Sequence, residues 1–372
     1  MTQVVLPEIN FLTTDAQELV NEFITIYEQT EGRKLSQADP LRLIFLSAAS
    51  VITKQNVAIN DAAKQNLLYY ARDKVLDHKG AEMTTSRLEA TAATTTLRLH
   101  LSVPLTSSRI IEKGSLATSN EGAIFFATVE ETAISPGVDY VDVELECTTK
   151  GEIGNGFAVG QINTLVKPLP YIGHIENITV SDGGAEREED APYKERIYMA
   201  PEKLTNAGSD GAYKYFAKSA SALISDVYVY MPTPGCVDIK ILMKDGKLPS
   251  PEIIDKVLNA VSGKRVRPLT DRVTAGAPTI TAFDLDMSYF IETDAVDKTI
   301  LHKKIQAAVD EWLVWQQSKI GRDINPSKLI SLCIKAGAKR VDVRSPVFMV
   351  VEQGEVAQLD MLNVHFGGVE DD

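Results

Sequence analysis

The sequence contains no apolar run long enough to cross a bilayer, which takes about 20 consecutive residues. Its longest apolar runs are a few residues, such as Phe348–Val351. The first residues include neither a basic segment nor a small-residue cleavage site. We therefore expect no signal peptide and no insertion into a membrane.

The sequence is also poor in positive charge. It has 38 Lys and Arg against 51 Asp and Glu, a net charge of -13. A nucleic-acid-binding protein needs clustered cations to displace the counterions of phosphate. The charge balance therefore predicts no nucleic-acid partner.

Cysteine is scarce, with only Cys147, Cys236 and Cys333 in 372 residues. They lie far apart, and each has apolar neighbours, so we expect small buried thiols. Such usage fits synthesis in the reducing cytoplasm of a host cell.

Patterns that carry chemistry are missing as well. The glycine-rich segment 151–156 lacks the Lys-Ser/Thr of a phosphate loop, and turns between strands are expected there. The acidic segment 186–190 lacks the internal glycine of a calcium loop and is expected to be a solvated hinge. No histidine lies three or four residues from another, and His100 is expected to face solvent on the polar side of its strand. We expect no catalytic residues, cofactor, metal or small-molecule substrate. The histidines are His78, His100, His174, His302 and His365.

Residues 14–80 are predicted to be helical. Thr14 or Asp15 caps a first helix that ends at Gly32, and Asp39-Pro40 opens a second. No proline or glycine interrupts 41–79, which predicts one long helix with an apolar seam at 4-3-4-3 spacing. We interpret the seam as an interface with a partner; packing on the chain's own β domain is the alternative. The seam positions are Leu41, Phe45, Ala48, Ile52, Gln55, Ile59, Ala62 and Asn66.

The remainder of the chain predicts an α+β multidomain protein. Residues 97–103 and 141–147 alternate between apolar and polar, as half-exposed strands do, and predict a small β domain. Helices and strands then interleave as compact units of the split βαβ kind. Trp312 and Trp315 lie on one helical stripe, where core packing and a subunit contact are both open interpretations. The predicted domains are 1–90 (long helices), 91–185 (β), 186–280 (α+β) and 281–372 (α+β).

Several short motifs, in order, resemble the baseplate J-like family of contractile-tail proteins. They include Arg109–Thr118, Phe125–Thr128, the glycine element Gly151–Gly156 with Gly160–Ile162, and the Asp-Gly-Gly segment Asn177–Gly184 with Tyr193–Ile197. Pro234–Ile239 and Val266–Leu269 complete the series. The resemblance covers about 160 residues in the middle of the chain.

The resemblance implies a structural wedge subunit in the baseplate of a phage tail or tail-like bacteriocin. Such subunits lie in a ring around the central hub, pair with a copy of themselves and with another wedge protein, and couple baseplate rearrangement to sheath contraction. The family pattern contains no catalytic residue. A tail-associated receptor-binding or cell-wall-degrading module is the alternative function. The expected location is the baseplate of the particle, assembled in the bacterial cytoplasm.

Overall fold

The computed structural model describes residues 6–119, 122–204, 208–263, 266–268, 270–293 and 297–371. Leu269, in the last family motif, lies outside these residues. The chain divides into two compact units, Met1–Ser86 and Arg87–Asp372. The predicted α+β class, with helices first and sheets after them, is confirmed. Among the described residues, no helix is both long enough and apolar enough to span a membrane.

The first unit contains helices α1 (Ala16–Glu31), α2 (Leu41–Lys64) and α3 (Asp73–Glu82). The Asp15 carboxylate accepts a hydrogen bond from the Gln17 N–H at the start of α1, and Gly32 ends α1 in the left-handed conformation, as predicted. The core of this unit is small, and the stacked rings of Phe23 and Phe45 lie at its side.

The single long helix predicted over 41–79 is wrong, because α2 ends at Lys64 and α3 begins only at Asp73. Arg72 donates through both terminal nitrogens to the Asp61 carboxylate, at 3.0 and 2.9 Å. The Arg72 N–H also donates to Gln65 Oε1 at 3.0 Å. These side chains fold the segment back over the last turns of α2, so the helix ends without glycine or proline.

The second unit begins with a nearly closed antiparallel barrel whose six-stranded sheet has the order β7-β3-β4-β6-β1-β8. Leu97 and Leu99 of β1 pair with Val143 and Val141 of β6, and their side chains point into the core as the alternation predicted. The strands are β1 (Thr94–Leu101), β2 (Arg109–Ile111), β3 (Leu116–Ser119), β4 (Phe125–Thr128), β5 (Thr132–Ile134), β6 (Tyr140–Cys147), β7 (Ile162–Leu165) and β8 (Ile172–Asn177).

Asn177 joins the two ends of the barrel sheet. Its carbonyl accepts from the Gly160 N–H at 2.9 Å, and its side-chain oxygen accepts from the Ile162 N–H at 2.8 Å. Its side-chain nitrogen donates to the carbonyls of Ala158 and Thr179. Since Asn177 is completely buried, these bonds replace the water that each group would otherwise need.

Two α+β regions follow, each with a three-stranded sheet. The first contains α4 (Asp190–Met199), α5 (Asp210–Lys218), β9 (Ile224–Thr233), β10 (Cys236–Met243), α6 (Pro251–Val261) and β11 (Arg272–Gly276), with the sheet order β11-β10-β9. The second contains β12 (Thr279–Glu292), α7 (Lys298–Gln317), α8 (Pro326–Lys335), β13 (Arg340–Ser345) and β14 (Glu355–Glu370), with the order β13-β12-β14.

Both sheets combine one parallel and one antiparallel pair. The parallel strands are direct neighbours, β10 with β11 and β12 with β14. In this detail they differ from the split βαβ arrangement, in which another strand lies between them. Separate apolar cores in the barrel and in each α+β region support the predicted boundaries near 185 and 280, which stay a prediction.

Candidate interaction surfaces

The predicted seam of α2 divides into two halves. Leu41, Phe45 and Ile52 pack against the core between α1 and α2, and Phe45 also contacts Tyr27 at 5.8 Å between ring centroids. Ala48 is half-buried beside them. In the second half the side chains are exposed, because α1 covers only the first half; these are Gln55, Ile59, Ala62 and Asn66.

Ile44 and Val51, which lie beside the seam, line up with Ile59 of the exposed half; we name these three exposed β-branched residues the α2 stripe. Their exposed fractions are 60%, 57% and 50%. At about 100° per residue, the three positions fall within about 80° of one another around the helix. Exposed apolar residues that line up in this way mark contact surfaces more often than those scattered singly. Phe45 and Ile52, in contrast, are needed by the helices themselves.

The two tryptophans of α7 belong to the interior of their own domain. Trp312 is completely buried, stacks edge-on against Phe283 at 5.8 Å, and donates its indole N–H to the Asn325 carbonyl. Trp315 is half-buried under the guanidinium of Arg322, 4.3 Å from the ring centre. Trp312 therefore offers no surface to a partner, whereas a subunit contact through the half-buried Trp315 stays a prediction.

The exposed apolar residues of the C-terminal region lie elsewhere. The loop after β13 exposes Val347, Phe348 and Val350, and β14 exposes Met361. Among the described pairings of β14, hydrogen bonds run to β12 on one side. We name this loop and the outer part of β14 the C-terminal patch. The patch supplies exposed apolar surface, which the tryptophans do not.

The acidic segment 186–190, predicted to be a solvated hinge, contains a buried ion pair instead. Glu188 and Arg196 are 5% and 3% exposed and share two hydrogen bonds of 2.7 Å. Arg87 donates to the Glu188 carbonyl at 2.8 Å and pairs with Asp190 at 2.7 Å. The guanidinium of Arg87 also lies 4.5 Å from the centre of the Tyr193 ring. These contacts fasten the start of the barrel to α4.

The two glycine motifs meet at the same end of the barrel. The Asn155 side chain donates to the Gly184 carbonyl at 2.7 Å and accepts from the Gly184 N–H at 2.9 Å. A Cβ atom on Gly184 would overlap the carbonyl oxygen of Gly151, so a larger residue does not fit there. The motif 151–156 is therefore filled by the chain's own backbone and serves packing.

An open groove of about 1300 Å³ separates the barrel from the β9–β11 region. The Thr94 hydroxyl donates across it to Glu252, which is also paired with Lys256 at 2.8 Å. Its walls carry more carboxylates than ammonium groups. The groove thus shows the features of a cleft between neighbouring domains.

The structure brings together one polar cluster that sequence reasoning missed. His100, His174 and Glu176 offer ligand atoms that all lie within 4.8 Å of one another. His100, expected to face solvent, is half-buried against His174, with ring centroids 4.1 Å apart. His174 and Glu176 are two residues apart on a strand, a spacing that could have indicated a shared face. The partner strand is 74 positions away, and the sequence does not give its register.

The thiols follow the prediction in part. Cys147 and Cys333 are buried, and burial raises the pKa of the Cys333 thiol to about 11. Cys236 is only half-buried, since it lies at the start of β10, directly after the turn from β9.

Comparison with known proteins assigns the chain to a family. The N-terminal, barrel and central domains of the baseplate J-like family match residues 38–94, 87–184 and 205–277, which together are more than half of the chain. Baseplate protein J of Escherichia phage P2 is 30% identical over 181 residues, which cover 47% of this chain and 58% of that protein. The match thus spans little more than half the length of this relative.

Among solved structures, a chain of the six-fold symmetrised anti-feeding prophage baseplate is similar over 92% of this chain and 90% of that chain. Its TM-score is 0.41 and its sequence identity is 10%, so this likeness has no bearing on the assignment. The three family domains occur in order along one polypeptide and coincide with helices, barrel and first α+β sheet. The chain therefore belongs to the baseplate J-like family.

Proposed function

We propose that this protein is a structural subunit of the baseplate of a contractile injection machine, either a phage tail or a tail-like particle. The observation that carries the proposal is the ordered match of three baseplate J-like domains across 38–184 and 205–277. The relative from phage P2 is itself named a baseplate protein. Its location is accordingly the baseplate of the particle, after synthesis in the bacterial cytoplasm.

Within the baseplate, the subunit occupies the wedge ring around the hub and couples its rearrangement to sheath contraction. Two features of the molecule suit this role. Buried polar links, such as the Glu188–Arg196 pair, join the barrel firmly to the next domain and can transmit force. The α2 stripe supplies an apolar surface that another wedge protein can cover.

A ring also needs contact between copies of the chain. Self-pairing through one surface closes on itself, so a ring requires a second, different contact. We assign self-pairing to the region 281–372, through the C-terminal patch with Val347, Phe348, Val350 and Met361. The α2 stripe then provides the contact to a different wedge protein.

The proposal describes a protein without catalytic turnover, a cofactor or a small-molecule substrate. Polar groups that could support chemistry are used in structural pairs, such as Tyr213 with Asp271 at 2.8 Å and Tyr289 with His302 at 2.8 Å. No observation on the described residues favours the alternative of a receptor-binding or cell-wall-degrading module. A peptidoglycan turnover assay tests it: hydrolysis abolished by substitution of one carboxylate would replace the structural proposal.

Assembly in cells that produce the complete set of tail proteins tests the structural role. Val51→Asp places a carboxylate in the α2 stripe, whereas Ser50→Asp places one on an adjacent exposed position about 100° away. We expect Val51→Asp to reduce the yield of sheathed particles strongly and Ser50→Asp to leave it unchanged. Equal yields of intact particles from both variants would contradict this use of α2.

A further inference from the structure

The outer face of the barrel carries two histidines and a glutamate from neighbouring strands. In the β1–β8 register, His100 lies opposite His174, and Arg98 lies opposite Glu176. Leu99 and Ile175, between them, point into the core. Because successive side chains of a strand alternate between faces, His100, His174 and Glu176 share the outward face.

From this geometry we propose that His100, His174 and Glu176 bind a divalent transition-metal ion, of which Zn²⁺ fits the donor set best. Two imidazole nitrogens and one carboxylate oxygen are usual zinc ligands, and the fourth position would take water. The ligand atoms lie within 4.8 Å of one another, and His100 Nε2 is 3.3 Å from Glu176 Oε1. With bonds of about 2.0–2.1 Å, tetrahedral ligands are about 3.3 Å apart, so only rotations of partly exposed side chains are needed.

The positive charge beside the cluster is already paired. Arg98, the nearest guanidinium, donates to both oxygens of Asp142, at 2.7 and 2.8 Å, and lies 4.1 Å from the centre of the Tyr140 ring. Asp142 thus neutralises Arg98, and the Glu176 carboxylate can serve the ion. The β1–β8 register shifts between His100 and Leu101, so the ion would fasten the two strands beside an irregularity of the ladder.

Zinc titration of the full chain, carrying no histidine tag and freed of metal with a chelator, tests the proposal. We expect one Zn²⁺ per chain and a rise in the thermal unfolding midpoint on binding. His174→Ala and Glu176→Gln should each weaken zinc binding at least about tenfold. Substitution of a residue that only supports a metal ligand already costs about 10–100-fold in affinity, so the loss of a ligand itself should cost no less. His365→Ala removes an exposed histidine of β14 and should leave the affinity unchanged.

Two further measurements keep the result unambiguous. Circular dichroism of each variant confirms that the barrel is folded before its affinity is compared. X-ray absorption distinguishes nitrogen and oxygen ligands from sulfur, which lies at about 2.3 Å from zinc. Binding that is absent in the unmodified chain, unchanged in His174→Ala, or lost only in Cys236→Ser would overturn the proposal.

Discussion

The barrel and the N-terminal helices bury their apolar residues to very different extents. The nearly closed barrel surrounds a continuous core that includes Leu97, Phe126 and Leu145, and Asn177 satisfies the backbone groups where its ends meet. In α2, the side facing α1 is only partly buried apart from Ala49, and Ile44 and Val51 remain exposed. The barrel thus fills its own core, whereas α2 keeps an exposed apolar stripe, which we propose another baseplate protein covers.

The largest expected effect is at the link that fastens the barrel to α4. Glu188→Ala leaves Arg196 buried without its carboxylate, and removal of one partner of a buried pair costs about 3–5 kcal/mol. We expect a loss of that size in the free energy of unfolding of 87–372, measured by urea denaturation. Glu189→Ala, at an exposed neighbouring position, should change it by less than about 0.5 kcal/mol. Similar values for both variants would show that the link is not a structural element.

Two buried asparagines allow a direct comparison of the two units. Asn177→Ala leaves the Ile162 N–H of the barrel unpaired, and each such buried group costs about 1–3 kcal/mol. Asn60 accepts from the N–H groups of Phe11 and Leu12, both at 2.9 Å. We expect Asn177→Ala to lower the stability of the whole barrel, and Asn60→Ala to raise hydrogen exchange only around Phe11 and Leu12. If Asn60→Ala also lowers the urea concentration at which the whole chain unfolds, the two units do not differ in the way that we describe.

The faces of α2 should separate stability from assembly. Phe45→Asp places a charge where Phe23 and Tyr27 stack, and we expect a loss of about 1–2 kcal/mol, since Phe45 is half-buried. Val51→Asp should change the helical signal on heating by no measurable amount. If Val51→Asp unfolds the helices as readily as Phe45→Asp, the α2 stripe is part of the intramolecular core.

The smallest effect concerns acid. Hydrogen bonds from Arg72 hold the pKa of Asp61 below its usual value. A lowered folded-state pKa adds stability that is complete above the unfolded value, about 3.9, and is lost as the pH falls through the folded value. We therefore expect the thermal unfolding midpoint of Asp61→Asn to fall less steeply with decreasing pH below about pH 4 than that of the unmodified chain. Arg72→Ala should reduce this fall equally. If the midpoint of Arg72→Ala falls with acid as much as that of the unmodified chain, other carboxylates cause the acid dependence.

Local sequence patterns, such as helix caps and apolar–polar alternation, predicted those helices and strands whose limits depend on residues close by in the sequence. The pair Ser250-Pro251 marks the start of α6, because Ser250 caps the helix and proline suits its first turn. The alternation in β1 and β6 likewise gave their inward faces, because one side of each strand is buried.

Features that depend on contacts distant in sequence were not predictable in the same way. The turn after α2 is held by the ion pair between Arg72 and Asp61, and no glycine or proline in the sequence indicates a turn there. Periodicity placed Trp312 on an apolar stripe, but whether a stripe faces its own core or a partner depends on the other elements. The approach of His100 to His174 depends on the β1–β8 register.

Hydrogen exchange of α2, measured in the free chain and in the assembled particle, tests the central claim most directly. We expect peptides of 41–64 to exchange faster than those of β1 and β6 in the free chain, and to become strongly protected on assembly. The strands of the barrel should change little. Protection of 41–64 that already equals that of the barrel strands in the free chain, or that does not increase in the particle, would contradict the claim that α2 docks on another baseplate protein.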